Sequence, residues 1–211
     1  EFKFKFAELH EMQKKLRRGL AKALQEELQQ LYEKRKEKTF TGTYVEIQAQ
    51  EIKNRQVKNF ALGLLSALDT EETRNLAKAQ FEGADNITDK WVGAQAYLLS
   101  TADDRQIFVD ELEQWSKENL VRWETFIGVI GSLDVDDALV FIEKVIKSPD
   151  FDLNSPNDQH IFARFAHNKR LSLLTQEGRA FVQKWIVDLT KVNEYQTGHI
   201  IEAFAALDKF D

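Results

Sequence analysis

The sequence predicts an all-α fold, in which stacked antiparallel helical hairpins form an armadillo/HEAT-like superhelix. Apolar residues recur at intervals of three and four along most of the chain, which is the spacing of one helix face. Only 2 Pro and 9 Gly interrupt the 211 residues, and the links between the periodic segments are short. Each hairpin buries only one of its sides, so we expect neighbouring hairpins to complete the core, although no fixed-period sequence repeat is detectable.

The clearest part of this pattern is the segment 54–89, where two short turns join three amphipathic helices. Asp69 followed by Glu72 has the spacing of a capping box, which predicts that the second helix begins there. Asp85-Asn86 forms the next turn, and Thr88-Asp89 opens the third helix. The apolar face of the first helix consists of Val57, Phe60, Ala61, Leu64, Leu65 and Leu68.

About ten helices are predicted over the whole chain. Gly19 weakens the middle of the first one and is expected to mark a break there. Glu1–Phe6 alternates apolar and charged residues, which predicts a short extended lead-in. The expected helices are Ala7–Lys36, Val45–Leu68, Glu71–Ala84, Thr88–Leu99, Asp103–Lys117, Leu120–Gly131, one capped by Asp134, Asp158–His167, Gln176–Lys191 and Glu194–Asp208. The expected loops are Thr39–Tyr44, Ser148–Asn157 and Asn168–Thr175.

The apolar positions of these helices are expected to face the core. In the first helix they are Leu9, Met12, Leu16, Leu20, Ala23, Leu24, Leu28 and Leu31. In the fifth and sixth helices they are Ile107, Phe108, Leu112, Trp115, Val121, Trp123, Phe126, Ile127 and Ile130. The Trp residues lie among other apolar residues, so we expect core positions rather than a ligand cage.

Composition excludes several classes of protein. Apolar residues make up 43% and charged residues 30% of the chain, which is typical of a folded globular protein. No apolar run approaches 18 residues, so no membrane partner is expected. The absence of Cys excludes disulfides and Cys-ligated zinc, and is compatible with a cytoplasmic location. The chain begins with Glu1 rather than Met, which predicts a piece of a longer or processed protein.

Charge is unevenly distributed along the chain, whose net charge is −6. Residues 1–40 carry 11 Lys and Arg against 7 Asp and Glu. RNA binding through residues 14–38 is one hypothesis for this excess. Acidic residues alternate with the basic ones and no aromatic residues are interleaved for base stacking, so we favour a solvated helix face and expect no nucleic-acid partner.

One segment imitates a metal motif. His10-Glu11 begins like the H-E-x-x-H zinc motif, but Lys14 puts a cation where the second His ligand is needed, and Glu33 alone does not complete a site. The other histidines are not paired at ligand spacing; they are His160, His167 and His199. The sequence therefore predicts no catalytic residues, no metal ligands and no cofactor in this chain.

Two blocks carry a family resemblance. The helix with Asn54-Arg55, Lys58-Asn59 and Leu62-Gly63-Leu64-Leu65 is followed by Ala79-Gln80-Phe81-Glu82-Gly83-Ala84-Asp85-Asn86-Ile87-Thr88-Asp89. Together they resemble the C-terminal helical domain of the bacterial aminopeptidase N family of zinc metallo-aminopeptidases (gluzincins), in which Met usually stands at the place of Ile87. Further matches in the same order lie at 114–126, 151–157, 164–166 and 208–211.

The resemblance implies a role beside catalysis. It implies that residues 1–211 form a single C-terminal helical domain of a longer zinc aminopeptidase, a metallopeptidase whose zinc and catalytic residues lie in an upstream domain. This domain would be non-catalytic, would pack on the upstream catalytic domain, and would cap the active-site chamber and control peptide access. Its partners would be that catalytic domain directly and peptide substrates indirectly. An isolated cap is expected to show an apolar patch where its partner was removed.

The resemblance also implies candidate site residues. The family has an N-P-Q-x-x-S-R segment whose Gln and Arg are turned toward the substrate. Tyr195 and His199 stand at those positions here, so they are the candidate chamber-facing residues, with altered selectivity as the expected consequence.

A different class of function remains open. A free-standing helical-repeat scaffold would bind a protein or peptide in its concave face without any catalytic domain. The size of the native protein distinguishes the two hypotheses.

Overall fold

The fold is all-α in the computed structural model, which describes residues 3–36, 39–205 and 207–209. Within these ranges, extended pairing is limited to one bridge, in which the Phe4 N–H donates to the Lys209 carbonyl at 2.6 Å. The helices are α1 Phe6–Ala23, α2 Gln25–Lys36, α3 Tyr44–Leu65, α4 Glu71–Gly83, α5 Ile87–Leu98, α6 Arg105–Ser116, α7 Leu120–Gly131, α8 Ala138–Ile146, α9 Pro156–His167, α10 Lys169–Ser172, α11 Gln176–Thr190 and α12 Glu194–Ile201. Short 3₁₀ turns follow at Ser66–Leu68, Glu202–Phe204 and Leu207–Lys209. The predicted all-α class is confirmed.

The helices group into two compact units. One, called the N-terminal unit below, comprises His10–Asp103, and the other, the C-terminal unit, comprises Glu1–Leu9 with Asp104–Asp211. The expectation of a single domain stays a prediction. Seven residues of predicted segments lie outside the described ranges: Glu1 and Phe2 of the lead-in, Glu37 and Lys38 of the basic segment 14–38, Ala206 of the last predicted helix, and Phe210 and Asp211 of the last match to the family.

In the N-terminal unit, α2 packs on α3, and α4 packs on α5. The start of α3 is fixed by a capping box, in which the Thr43 N–H donates to the Glu46 carboxylate at 2.8 Å while the Thr43 hydroxyl accepts from the Glu46 N–H. Gly93 brings α5 against α4, because a Cβ at this position would lie 2.7 Å from the Ala77 carbonyl oxygen. Only glycine allows the two backbones to approach so closely.

The first predicted helix is divided, but not at Gly19. Gly19 lies inside α1, and the interruption falls at Leu24, between α1 and α2. The hydrogen-bond ladder still crosses it: the Leu24 N–H donates to the Leu20 carbonyl at 3.0 Å, and the Leu28 N–H donates to the Leu24 carbonyl at 2.9 Å. The predicted break was therefore wrong in position. A glycine costs a helix only about 1 kcal/mol relative to alanine, which is too little to end it.

The predicted capping box at Asp69 is also displaced. The N-cap of α4 is Thr70, which exchanges hydrogen bonds with Thr73. Asp69 adopts a left-handed conformation with φ 53°, and its carboxylate accepts from Arg74 Nε at 2.7 Å and from the Thr101 N–H at 3.2 Å. Burial alone would raise the pKa of Asp69, but these hydrogen bonds outweigh it and hold the pKa below its usual value.

In the C-terminal unit, α9 lies at the centre, because α7, α11 and α12 all pack against it. An aromatic cluster fills this core: the rings of Phe162 and Trp185 stack with centroids 4.0 Å apart, and Phe165 meets Phe181 edge-on at 5.2 Å. These four rings bury large apolar surfaces, which stabilises the packing of α11 on α9.

Asp134 does not cap α8, contrary to the prediction. It accepts from Arg170 Nε at 2.9 Å, and Arg170 also reaches Asp136 at 2.7 Å. Asp137 occupies the N-cap position of α8, and its carboxylate takes a bidentate contact from Arg105 at 2.8 and 3.2 Å. The acidic residues before α8 therefore bind guanidinium groups of other elements, and the side chain of Asp137 makes no capping bond to the helix.

Several apolar residues expected in the core are exposed. On α1, Ala21 is the residue that is buried, whereas Met12 is 68% and Leu16 64% exposed. The other exposed members of the predicted faces are Leu9, Leu20, Ala23, Leu24, Phe60, Ile107 and Val121. Periodicity identifies residues that share a face, but it does not state whether another element covers that face.

The remaining helix bounds agree with prediction within a few residues, with two exceptions. The expected loop Asn168–Thr175 contains the short helix α10, and the last expected helix gives way to a 3₁₀ turn after Ile201. No helix of the described ranges has the length and apolarity needed to cross a membrane.

Candidate functional site

The polar residues that carry the family resemblance converge on Asp89 in the N-terminal unit. Lys58 and Asn59 project from α3, and their side-chain nitrogens donate to the Asp89 carboxylate at 2.5 and 2.8 Å. Asn86, the N-cap of α5, donates to the same carboxylate at 3.1 Å and accepts from the Asp89 N–H at 2.9 Å. Gln80 of α4 donates to Asn59 and to the Asp89 carbonyl, both at 2.9 Å. The network therefore ties α3, α4 and α5 together.

The charge of Asp89 is stabilised despite its burial. The residue is 3% exposed, and burial alone would raise its pKa. The hydrogen bonds from Lys58, Asn86 and Asn59 and the positive charge of Lys58 outweigh burial and lower the pKa of Asp89 below its ordinary value. A carboxylate that accepts hydrogen bonds from three side chains is a poor general base. The network therefore has a structural role, which is to hold the three helices together.

A cleft of about 390 Å³ lies beside this network, within the N-terminal unit. Its walls include Tyr32 and Arg35 from α2, Asn54 and Lys58 from α3, and Gln80 from α4. Arg35 Nη1 donates to the Asn54 side chain at 3.2 Å, and Asn54 Nδ2 donates back to the Arg35 carbonyl at 2.7 Å. The guanidinium of Arg35 is therefore held in one orientation at the cleft wall.

Tyr195 and His199, the residues predicted from the sequence, lie one turn apart on α12 in the C-terminal unit. Tyr195 is 75% exposed, and its ring meets the His199 imidazole edge-on, with centroids 4.8 Å apart. His199 Nδ1 lies 3.4 Å from the Glu202 carboxylate. The two residues form an exposed aromatic pair, and their role in facing a chamber stays a prediction.

The segment that imitates a zinc motif does not assemble a site. His10 lies on α1, and Glu33 on α2 is 3.7 Å from Lys36, its ion-pair partner. Across the described ranges, no group of three His, Asp or Glu residues is placed to hold a metal ion.

A second buried carboxylate, Asp158, was not singled out from the sequence. It lies on α9 and accepts from Trp123 Nε1 at 2.9 Å, from the Asp152 N–H at 2.8 Å and from the Ser155 hydroxyl at 3.1 Å. Sequence reasoning also missed Tyr32 and Arg35. Their i and i+3 spacing indicates that they share one face of α2, which was only a weak signal of a site.

Comparison with known proteins agrees with this architecture. Aminopeptidase N of Escherichia coli is 22% identical over 205 residues, which cover 95% of this chain and 23% of that protein. Aminopeptidase N of Haemophilus influenzae is 24% identical over 170 residues, covering 79% of this chain and 19% of that protein. A crystal structure of Legionella pneumophila aminopeptidase A in complex with aspartic acid matches the whole chain with a TM-score of 0.85 and 21% identity, and the match covers 26% of that protein.

The chain thus spans about a quarter or less of the proteins it matches. The resemblance to the helical domain of the aminopeptidase N family is confirmed. Residues 2–211 match the family described as "Domain of unknown function (DUF3458_C) ARM repeats". The match covers nearly the whole chain, and the chain therefore belongs to this family of ARM-repeat domains.

Proposed function

We propose that this chain is the non-catalytic C-terminal domain of a cytoplasmic zinc aminopeptidase, which caps the active-site chamber and controls peptide access while an upstream domain removes N-terminal amino acids. The observation that carries the proposal is the coverage: most of this chain aligns with 19–23% of two aminopeptidases N. Zinc does not fit the described residues, because no group of three potential ligands comes together among them. In this proposal the metal belongs to the upstream domain.

The size of the native protein tests the proposal directly. An antibody against this domain should detect, in the source cells, a protein several-fold larger than 24.5 kDa. That protein should hydrolyse an aminoacyl reporter and lose the activity on zinc chelation, and it should appear in the cytoplasmic fraction. A native band near 24.5 kDa would contradict the proposal and favour a free-standing scaffold.

The scaffold remains the second candidate because of α1. This helix carries an exposed apolar stripe of Met12, Leu16 and Leu20, and the exposed Leu24 continues it directly after the helix. A stripe of this kind suits docking against another surface. In the cap hypothesis that surface belongs to the upstream domain, and in the scaffold hypothesis it belongs to a separate protein.

An RNA-binding role receives less support. Within residues 14–36, Arg17 Nη2 donates to the Gly63 carbonyl at 3.0 Å and Arg35 donates to Asn54. Lys36 pairs with Glu33. Cations engaged in this way contribute less to phosphate binding. Residues 37 and 38 of the predicted segment lie outside the described ranges.

The chamber-facing role of Tyr195 and His199 has its own test in the full-length protein. Replacing Tyr195→Gln and His199→Arg restores the residue types of the family pattern. We expect kcat/KM to change for peptides of three or more residues, with little change for a short aminoacyl reporter. The matched control replaces two exposed residues elsewhere, Tyr44→Gln and His160→Arg. Equal kinetics for all variants on every peptide length would contradict the assignment.

A further inference from the structure

The apolar stripe on α1 is not covered by any described element. Met12, Leu16 and Leu20 are between 43% and 68% exposed, and the exposed Leu24 continues the series directly after the helix. Residues four positions apart lie above one another on a helix, so these side chains form one continuous ridge. A ridge of this kind has the shape that packs into the groove of another helix.

A different face of α1 holds the helix in place. Arg17 Nη2 donates to the Gly63 carbonyl at the end of α3 at 3.0 Å. Ala21 lies one turn after Arg17 on the same side of α1 and is fully buried. The stripe runs beside this face, and the exposed cations Lys14 and Arg18 lie on the side of α1 away from the stripe. The helix is therefore attached along one face and open along the next.

The amount of surface that α1 buries is small for its length. Over the 18 residues Phe6–Ala23, Ala21 is the one buried residue. By contrast, α3 buries Ala61, Leu62 and Leu65, and α2 packs on it. A helix of about 12–15 residues is only marginally stable alone in water, and most helices in proteins are stabilised by packing of an amphipathic face. The stripe on α1 is such a face, and its packing partner is missing.

The position of α1 in the array indicates where that partner lies in the sequence. In helical-repeat domains each repeat packs against its sequence neighbours, and an uncovered end repeat exposes apolar surface. The helix that follows α1 is α2, which packs on α3. Because α1 is the first helix of the described residues, the missing neighbour is the one that precedes it. The match to this chain covers 19–26% of the related proteins, which leaves ample polypeptide for such a neighbour.

A lipid surface is a less suitable partner for the stripe. Residues 10–24 contain no Trp or Phe, two of the residues with which interfacial helices enter a bilayer. The net charge of the chain is −6, which anionic lipids repel. We therefore favour a protein surface.

We propose that a helical hairpin directly preceding this chain in the longer polypeptide packs on the apolar stripe of α1, so that the ARM-repeat domain extends upstream of residue 1. The apolar face of this hairpin would fit between Met12, Leu16 and Leu20, as the ridges of one helix fill the grooves of the next. The inference rests on the part of the proposed function that places this chain in a longer protein. It goes beyond that function, because it assigns the stripe to a further helical repeat and not to the catalytic domain.

Thiol labelling of the full-length protein tests whether the stripe is covered. Residues 1–211 contain no Cys, so Leu16→Cys and its matched control Arg18→Cys each place one thiol in this chain. Mass spectrometry of the labelled peptide separates this thiol from any other. Under native conditions Leu16→Cys should react at least about tenfold more slowly than Arg18→Cys, and in urea the two rates should agree within about twofold. Equal native rates would overturn the inference. If Leu16→Cys fails to fold by circular dichroism, Met12→Cys takes its place.

Photo-crosslinking identifies what covers the stripe. Met12 is the only Met of residues 1–211, so photo-methionine, which is close to methionine in size, places a reactive group at this one position of the chain. We expect a crosslink to a peptide within about 80 residues before Glu1, the length of about two ARM-type repeats. Met12→Leu should abolish it. A crosslink to more distant upstream sequence, to a second copy, to lipid or to a separate protein would overturn the inference.

The same protein distinguishes this inference from the proposed function. Zinc-dependent hydrolysis together with a crosslink from Met12 to the catalytic domain would contradict the inference and leave the proposed function intact. A crosslink to the preceding helices in a protein without such hydrolysis would contradict the proposed function and leave the inference intact. A native protein near 24.5 kDa would contradict both.

Discussion

Asp89 and Asp158 are buried carboxylates at the same position of their helices, but a different kind of donor stabilises each one. Each is the third residue of its helix, each is 3% exposed, and each contacts the N-cap residue of that helix, Asn86 in α5 or Ser155 in α9. Each also accepts from a helix earlier in its own unit. That donor is the ammonium group of Lys58 for Asp89 and the indole N–H of Trp123 for Asp158.

The comparison shows that the helix N-terminus, rather than the ion pair, is the shared element. Both carboxylates lie at the positive end of a helix dipole. A neutral indole and a backbone N–H suffice to complete the site in the C-terminal unit. The N-terminal unit adds a buried cation instead, so its network is more sensitive to the loss of a single partner.

Removal of Lys58 should have the largest effect. Lys58→Met leaves Asp89 buried without its cation, and we expect a loss of about 3–5 kcal/mol in the free energy of unfolding. Urea denaturation followed by circular dichroism measures it. A loss below about 1 kcal/mol would show that the neutral donors alone hold Asp89, and the contrast with Asp158 would disappear.

Trp123→Phe should have a smaller effect. A smaller aromatic ring replaces the indole, and Asp158 keeps its bonds from Asp152 and Ser155 while it loses one donor. The expected loss is about 1–3 kcal/mol, determined in the same urea experiment. If this variant proved as damaging as Lys58→Met, the nature of the donor would not distinguish the two sites.

The pH dependence of stability sharpens the comparison further. Because folding lowers the pKa of Asp89, its contribution is fully present above the unfolded-state pKa of about 3.9. It is lost as pH falls through the lower folded-state pKa. Asp89→Asn should therefore reduce stability at pH 7 and flatten the decline of the thermal midpoint as pH falls below about 4. A decline as steep as that of the unaltered chain would contradict this role.

An exposed ion pair should have the smallest effect. Lys144 lies 2.7 Å from Asp110, with 32% and 55% of the two side chains exposed. Solvent screens this pair, so Lys144→Met should cost at most about 1 kcal/mol in the same urea experiment. A loss close to that of Lys58→Met would mean that burial does not determine how much each ion pair contributes to the free energy of unfolding.

The helices were predictable because amphipathic periodicity is a local property of the sequence. The caps were less predictable. Asp69 and Asp134 have the residue type of a helix cap, but Arg74 and Arg170 attract their carboxylates instead. A rule that depends on sequence spacing does not include such competing donors.

The exposure of the helix faces and the residues of the cleft were harder to predict from the sequence. The exposed stripe on α1 has the same spacing as a buried one, because spacing carries no information about the neighbour. Arg35 and Asn54 are 19 positions apart and meet only after α2 and α3 have packed. Family resemblance identified the residues around Asp89 but gave no indication that they meet in one network.

The indole of Trp123 is also a fluorescent reporter of unfolding in the C-terminal unit. Its N–H is bound to a buried carboxylate, so separation from Asp158 during unfolding changes the polarity around the fluorophore. Trp91 is the one tryptophan of the sequence between His10 and Asp103. Variants that keep either Trp91 or Trp123 as the sole emitter would therefore report the unfolding of the two units separately, without an attached dye.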